Sequence, residues 1–493
     1  MMPDYINKLP TEMLYQVFDC LSFEQQLLAM AVCQRWCQIL SSDWYIPDRR
    51  LCLCTFNLNG TESQLQWMKQ YRAFTIKDSN KDKGEFLDPL RKFLFSPEVA
   101  ETVEELRLEL FWYSLSDLLD SSEEMCLPKL EKISYLSSIW VEERSLLECK
   151  VVAPNLKTVM LEDSKKSGNP LIQVMSDQIE TMSVRFINKM LLFATIGNYS
   201  FTSLNSLTLM SQQGSLLFRE SDFHAVHLQT FGRLRYLKIS DEKNVFYLIY
   251  RIIFREAKNL ETLIINGRKM SEDAFNQIDR LKKLQELYLM VEIQKSQPLT
   301  RLCLPQLKIL TTYACTMTPL GNVSNLKDIS IRNHKNSWER YKLSDDAVNC
   351  GIFIHNLQTL RLTKVILDST FVRHISTITG LRALELNQVR MDPKHLQRIF
   401  GSLKQLQRVR FEWCYLNEVV VAREDTDGNS IVDHDDDDGG EQGENDQKVD
   451  CLRMLQQQYP DCRITNLNNR IVRHVTRGQS MYQNLLPQYW RPL

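Results

Sequence analysis

The chain predicts an α/β architecture: a short N-terminal bundle of three helices, then a curved array of strand-and-helix units with a parallel sheet inside and helices outside. Three observations carry this. Between residues 9 and 44 apolar side chains recur at helical spacing. From about residue 100 onward the pattern L-x-x-L-x-L keeps returning, its first positions 19 to 31 residues apart with a mean near 25. Near residue 424 the composition turns sharply acidic, which interrupts the array.

In the N-terminal stretch Leu14, Val17, Phe18 and Leu21 share a helical face, with Met13 beside them. Ser22 with Gln25 three residues later reads as a capping box that opens a second helix. Its apolar set is Leu27, Leu28, Ala31 and Val32, and a third set follows at Trp36, Ile39 and Leu40. Three helices over roughly residues 8–42 bury too little surface to be stable alone. The bundle is therefore expected to lean on the next segment, on a partner, or on both. Leu9-Pro10, Met13-Leu14, Val17-Phe18, Leu21, Leu27-Leu28, Val32-Cys33, Trp36 and Leu40 resemble, position by position, an F-box spanning residues 5–48. Met13 and Val17 stand where that pattern usually has Ile or Leu, volume-similar swaps that a packed site tolerates. The resemblance implies docking on the Skp-family adaptor of cullin–RING ubiquitin ligases. It assigns the contact to Leu9, Pro10, Leu14, Val17, Phe18, Leu21, Leu27, Leu28, Val32 and Trp36. The competing reading is a helical cap for the array.

Residues 49–102 read as a linker and N-terminal cap repeat. Tyr71, Phe74 and Ile76 suggest an atypical first strand, 79–84 a polar loop and 87–95 a returning helix. The array proper runs over 103–423. Its copies begin at Val103, Leu156, Leu204, Leu234, Leu260, Leu284, Leu326, Leu357, Leu381 and Leu406, with weaker ones at Leu130, Ile179 and Leu307. That period belongs to leucine-rich repeats, each a short strand followed by a helix or turn. One unit has an apolar face and nothing to bury it against, so units stack. Prolines at 128, 154 and 305 fall just before strands, where a ladder N–H is least needed. Cys315 and Cys414 occupy the ninth repeat position, where Asn or Cys satisfies loop backbone. The variable repeat lengths and long helical stretches, such as 241–258, resemble the F-box-associated subtype of these repeats.

Residues 424–448 form an acidic insertion, with eleven carboxylates that include Asp433 and Asp435 through Asp438 and with no Lys or Arg up to Gln447. Such a run cannot bury enough to order itself. It reads as a solvated insertion, or as an acidic flap that competes for a basic surface. Residues 449–493 are expected to hold a cap repeat (a helix to about Tyr459, then a strand near Ile464) and a mixed tail.

Net charge is −1, with 60 Lys and Arg against 61 Asp and Glu, and basic residues are dispersed, which gives no nucleic-acid stripe. The longest apolar run, 245–254, is about half a membrane span and contains Arg251. The N-terminus is polar, with no leader pattern. Thirteen cysteines without C-x-x-C pairs read as reduced thiols of a cytoplasmic or nuclear protein. Neither Cys33/Cys37 nor Cys52/Cys54 has a nearby histidine, and His224/His227 lacks a recurring third ligand, so neither metal nor cofactor is expected. Sixteen glycines never cluster as a phosphate cradle, and no catalytic constellation or RING spacing is present.

The expected function is a non-catalytic receptor. The bundle would bind the adaptor, and through it cullin and RING subunits. The array would hold a protein substrate on Lys238, Tyr288, Arg332, Arg361, Glu385, Arg408 and Arg410, which occupy or flank outward strand positions. The alternative is a leucine-rich-repeat scaffold that acts outside any ligase.

Overall fold

A computed structural model describes residues 6–21, 23–40, 42, 50–54, 71–77, 92–94, 96–110, 125–137, 151–163, 177–186, 201–211, 230–241, 244, 246–247, 250–294, 302–313, 322–333, 356–412, 414–416, 457, 459–460 and 462–466. The expected capping residue Ser22, His224, His227, Cys315, the acidic insertion and the tail beyond Asn466 lie outside them. By internal contacts the chain divides into two units, residues 1–327 with 349–352, and residues 328–348 with 353–493.

The first unit opens with a 3₁₀ turn, Ile6–Lys8, and the three expected helices, α1 (Thr11–Asp19), α2 (Phe23–Met30) and α3 (Gln34–Leu40). A strand that the leucine pattern did not announce comes next, β1 (Arg50–Cys54), paired in parallel with β2 (Ala73–Lys77). Its sequence, RLCLC, alternates but lacks the leading leucine of the repeat. The sheet continues through β3 (Glu105–Leu110), β5 (Lys132–Ser137), β7 (Thr158–Asp163), β8 (Thr181–Phe186) and β9 (Ser206–Ser211). It ends with β10 (Tyr236–Asp241), β11 (Thr262–Ser271), β12 (Glu286–Gln294) and β13 (Ile309–Tyr313). The two-residue strands β4 (Met125–Cys126) and β6 (Val151–Val152) form a separate parallel pair, and a one-turn helix, α4 (Pro97–Ala100), precedes β3.

Register explains the sequence pattern. Leu207, Leu237, Leu263, Leu287 and Leu310 lie side by side, and so do Leu209, Ile239, Ile265, Leu289 and Thr312. Leu207 through Leu287 and Leu209 through Ile265 are fully buried; Leu289, Leu310 and Thr312 are nearly so. Each buried leucine of this kind contributes about 1.5–3 kcal/mol against solvent. Two helices return on the leucine side, α5 (Tyr250–Glu256) and α6 (Glu272–Ile278), which bury Tyr250, Ile253, Phe254, Ala274, Phe275 and Ile278. The helix expected over 241–258 is shorter because Asp241 ends β10. Its carboxylate accepts hydrogen bonds from the Phe246 N–H (2.9 Å) and the Tyr250 hydroxyl (3.0 Å) inside the fold.

The carbonyl of the residue immediately ahead of one strand serves two N–H groups of the following unit. Glu104 O accepts from Glu131 and Lys132, Glu180 O from Asn205 and Ser206, and Arg235 O from Glu261 and Thr262. Asparagines add side-chain rungs at the preceding turns: Asn155 Nδ2 donates to Pro128 O (2.7 Å), Asn259 to Gly232 O (2.8 Å) and Asn325 to Pro305 O (2.8 Å). Asn259 also accepts from Lys283 Nζ at 2.7 Å. Because these rungs are exposed, Asn259→Ala is expected to destabilise by only about 0.5–1 kcal/mol. The urea midpoint should fall with the slope unchanged.

The second unit contains β14 (Asp328–Arg332), β15 (Thr359–Thr363), β16 (Ala383–Asn387), β18 (Arg408–Glu412) and β20 (Arg463–Asn466), parallel in that order, and a separate parallel pair of two-residue strands, β17 (Arg390–Met391) and β19 (Tyr415–Leu416). The strand expected near Ile464 is therefore present. Helices α7 (Ser369–Ile375) and α8 (Pro393–Ser402) alternate with the strands. Their N-caps are Asp368, which accepts from the Phe371 N–H, and Asp392, which accepts from the Lys394 N–H. Lys364 (φ 57°) and Gln388 (φ 52°) take the left-handed conformation directly after β15 and β16, so two repeats turn alike. Cys414 Sγ donates to Leu386 O at 3.2 Å, the loop-satisfying role expected of the ninth position.

Candidate docking surfaces

The bundle has a closed core of its own: Leu14, Phe18, Ala29, Ile39 and Leu40. Leu9, Tyr15, Leu21, Met30 and Trp36 pack around it, and the Phe18 and Trp36 rings meet edge-on at 5.2 Å. Polar contacts lock the helix ends. Gln26 Nε2 donates to Phe18 O and Leu21 O, both at 3.0 Å, which serves a carbonyl in the last turn of α1 and one in the chain just after it. Arg35 Nη2 donates to Leu9 O at 2.8 Å and ties α3 to the chain just before α1.

This arrangement sorts the residues singled out from sequence. Leu14 and Phe18 are fully buried, so they shape the bundle and present no contact surface. Their helical periodicity is real, but it reports a core. Leu9, Leu21 and Trp36 are half-buried against that core, and Pro10 is exposed at the start of α1. The Leu27 side chain lies outside the described residues. Val17, Leu28 and Val32 stand in solvent, 45%, 72% and 61% exposed. Ile6 at 51% and Met13 at 49% join them, although the pattern had not assigned them contact. Met13 and Val17 are four apart on α1 and form a stripe, while Leu28 lies on α2 and Val32 in the turn just after it. The i,i+4 relation of Met13 to Val17 was readable in the sequence. Nothing there marked Ile6, which precedes the periodic segment.

The second surface is the sheet face opposite the leucines. In the first unit Lys238 and Tyr288 are half-buried there, flanking Ile264 in register. Tyr236 lies nearby, its phenol pKa raised by burial and by the Glu286 carboxylate. Further along the same face Glu109, almost buried, accepts ion pairs from Lys77 Nζ (3.0 Å) and Arg107 Nε (2.8 Å). In the second unit Arg332 is half-buried at the end of β14. Glu385 stands between two arginines, Arg361 Nε at 3.0 Å and Arg408 Nη2 at 3.1 Å. Arg410 is exposed, with Glu412 Oε2 at 3.8 Å. Arg361, Glu385, Arg408 and Arg410 thus come together, whereas Lys238 and Tyr288 belong to the other unit. Arg463, exposed and in register with Arg408, belongs to the same group. Sequence reasoning passed over it because the strand that carries it follows the long insertion.

Among the described residues no group of three His, Cys, Asp or Glu side chains could hold a metal ion, and no helix is long and apolar enough to cross a membrane.

Comparison with known proteins gives a family match for the bundle alone. Residues 6–50 match the F-box-like family. No curated protein matches the chain. Among solved structures, an internalin from Listeria monocytogenes is similar at 14% identity and a TM-score of 0.33, over 77% of this chain and 88% of that one. The mouse RP105/MD-1 complex is similar at 11% identity and a TM-score of 0.38, over 75% and 76%. The TLR13–ssRNA13 complex gives 14%, 0.38, 76% and 59%. Likenesses this weak decide nothing about the fold, which rests on the strand register and the buried leucines. Residues 6–50 are an F-box-like domain set ahead of leucine-rich-repeat units of parallel β-structure.

Proposed function

We propose that this chain is the non-catalytic substrate receptor of an SCF-type ubiquitin ligase. The carrying observation is the set of large apolar side chains, Ile6, Met13, Val17, Leu28 and Val32, left in solvent on a small bundle whose core is already closed. Apolar stripes on an otherwise satisfied surface mark a protein contact, and an F-box-like domain makes a Skp-family adaptor the expected partner. Cullin and RING subunits follow through the adaptor. The repeat units would hold a protein substrate on their open sheet face, and their function would be proximity: a held lysine meets the charged enzyme at high effective concentration. The transfer chemistry belongs to other subunits. The receptor's place is the cytoplasm, the nucleus or both, where free thiols such as Cys20 and Cys126 stay reduced.

The test is reconstitution. Purified full-length chain and Skp-family adaptor should elute from a sizing column as one stoichiometric complex that recruits cullin and RING. Separate elution at micromolar concentrations would leave a leucine-rich-repeat scaffold acting outside a ligase.

A further inference from the structure

Among the described residues charge is distributed unevenly between the two units, although the second, with its acidic insertion counted, holds twenty-two Lys and Arg against twenty-two Asp and Glu. The described residues of the first carry twenty-four Lys and Arg against twenty-one Asp and Glu, close to balance. Those of the second carry twelve against five. Four of those five carboxylates already have work within the fold. Asp368 and Asp392 cap helices, Glu385 bridges Arg361 and Arg408, and Glu412 accepts from Asn387 Nδ2 at 3.1 Å.

The surplus on the sheet face gathers on the last two strands. Arg408 and Arg410 alternate with buried Val409 and Phe411, so both point to the open side. Arg463 of β20 lies opposite Arg408 in parallel register. The Cα atoms that carry these arginines repeat about every 7 Å along a strand and about 5 Å across it. An extended peptide presents alternate side chains at that same repeat of about 7 Å. Glu385 and Glu412 interrupt the positive field. A continuous phosphate backbone would meet those two carboxylates, whereas discrete carboxylates on a peptide can settle between them. Arginine forks also match carboxylates two bonds at a time.

We infer that the face formed by Arg361, Arg408, Arg410 and Arg463 binds an extended, Asp/Glu-rich segment of a protein partner. The inference rests on the reading that the open sheet face is where this chain holds its substrate, and it names the chemistry of the substrate's recognition segment. Attraction of this kind is shared among several exposed pairs and is screened by salt.

The experiment titrates full-length chain into a short fluorescein-labelled peptide of alternating Asp and Thr at low ionic strength. Anisotropy should report saturable binding that weakens as salt rises. The double variant Arg408→Glu with Arg410→Glu should lose at least about tenfold in affinity, since like charges then face each other. The control Lys394→Glu with Arg398→Glu makes the same charge change on exposed positions of α8 and should lose less than about twofold. Equal loss in both variants would reduce the effect to net charge and overturn the inference. So would tighter binding of a single-stranded oligonucleotide of equal charge. Failure of the native chain to bind, with binding restored by changing Asp435 through Asp438 to Asn, would overturn it too, because the face would then serve the chain's own carboxylates. Adaptor co-elution on the same preparations reports the receptor reading separately.

Discussion

Leu28→Asp combined with Val32→Asp is expected to abolish adaptor binding while leaving the chain folded. Both side chains are mostly in water, so aspartate there disturbs no packing. Surface changes of this kind move stability by less than about 0.5 kcal/mol. In a complex the balance reverses. Two aliphatic side chains lose about 1.5–3 kcal/mol of burial each, and the new carboxylates must be desolvated without partners. A loss of at least about 3 kcal/mol is more than a hundredfold in affinity. Isothermal titration with purified adaptor measures it, and thermal unfolding of the free variant checks the fold. Phe18→Ala is the contrasting case. Phe18 is fully buried against Trp36, and truncation there costs about 3–5 kcal/mol through the cavity left behind. It should weaken adaptor binding only by unfolding the bundle. If the double aspartate variant binds like the native chain, these exposed side chains are not the docking surface.

The difference between those variants shows what the sequence could reveal. Repeat spacing located most of the strands because a buried leucine must recur wherever a unit stacks on its neighbour, as Leu207, Leu237, Leu263 and Leu287 do. It missed β1, whose cysteines interrupt the leucine signature. It overextended the helix before Lys258, since helical spacing alone cannot show that Asp241 turns inward. In the bundle, periodicity marked Leu14, Val17 and Phe18 alike, and only the folded arrangement separates the two core residues from the exposed Val17. The arginine cluster lay in plain view except for Arg463. Its pairing with Glu385 did not, because cross-strand partners come from registers more than twenty residues apart.

Asp241→Ala is expected to be the most damaging single change in the first unit's repeats. Asp241 is fully buried, and its carboxylate accepts from the Phe246 backbone N–H and from the Tyr250 hydroxyl. Removing the acceptor strands two donors, each costing about 1–3 kcal/mol when left unsatisfied. The strand and helix that they join should loosen by about 2–5 kcal/mol. The neighbouring strand cannot close the gap, because Gly267 already approaches so closely that a Cβ there would stand 3.1 Å from Asp241 O. Asp241→Asn keeps an acceptor and should cost less. Tyr250→Phe removes a single bond and should cost about 1 kcal/mol. The Tyr250 pKa is raised well above the usual phenol value, first by burial and then by the Asp241 charge and hydrogen bond. A raised acid contributes stability that is complete below the unfolded value of about 10 and is lost as pH climbs through the folded one. The native chain should therefore lose stability in that alkaline range, and Tyr250→Phe should lose less. Hydrogen exchange at the Phe246 amide gives the local readout. It should accelerate strongly in Asp241→Ala, and protection equal to the native chain's would show that the buried carboxylate holds nothing together.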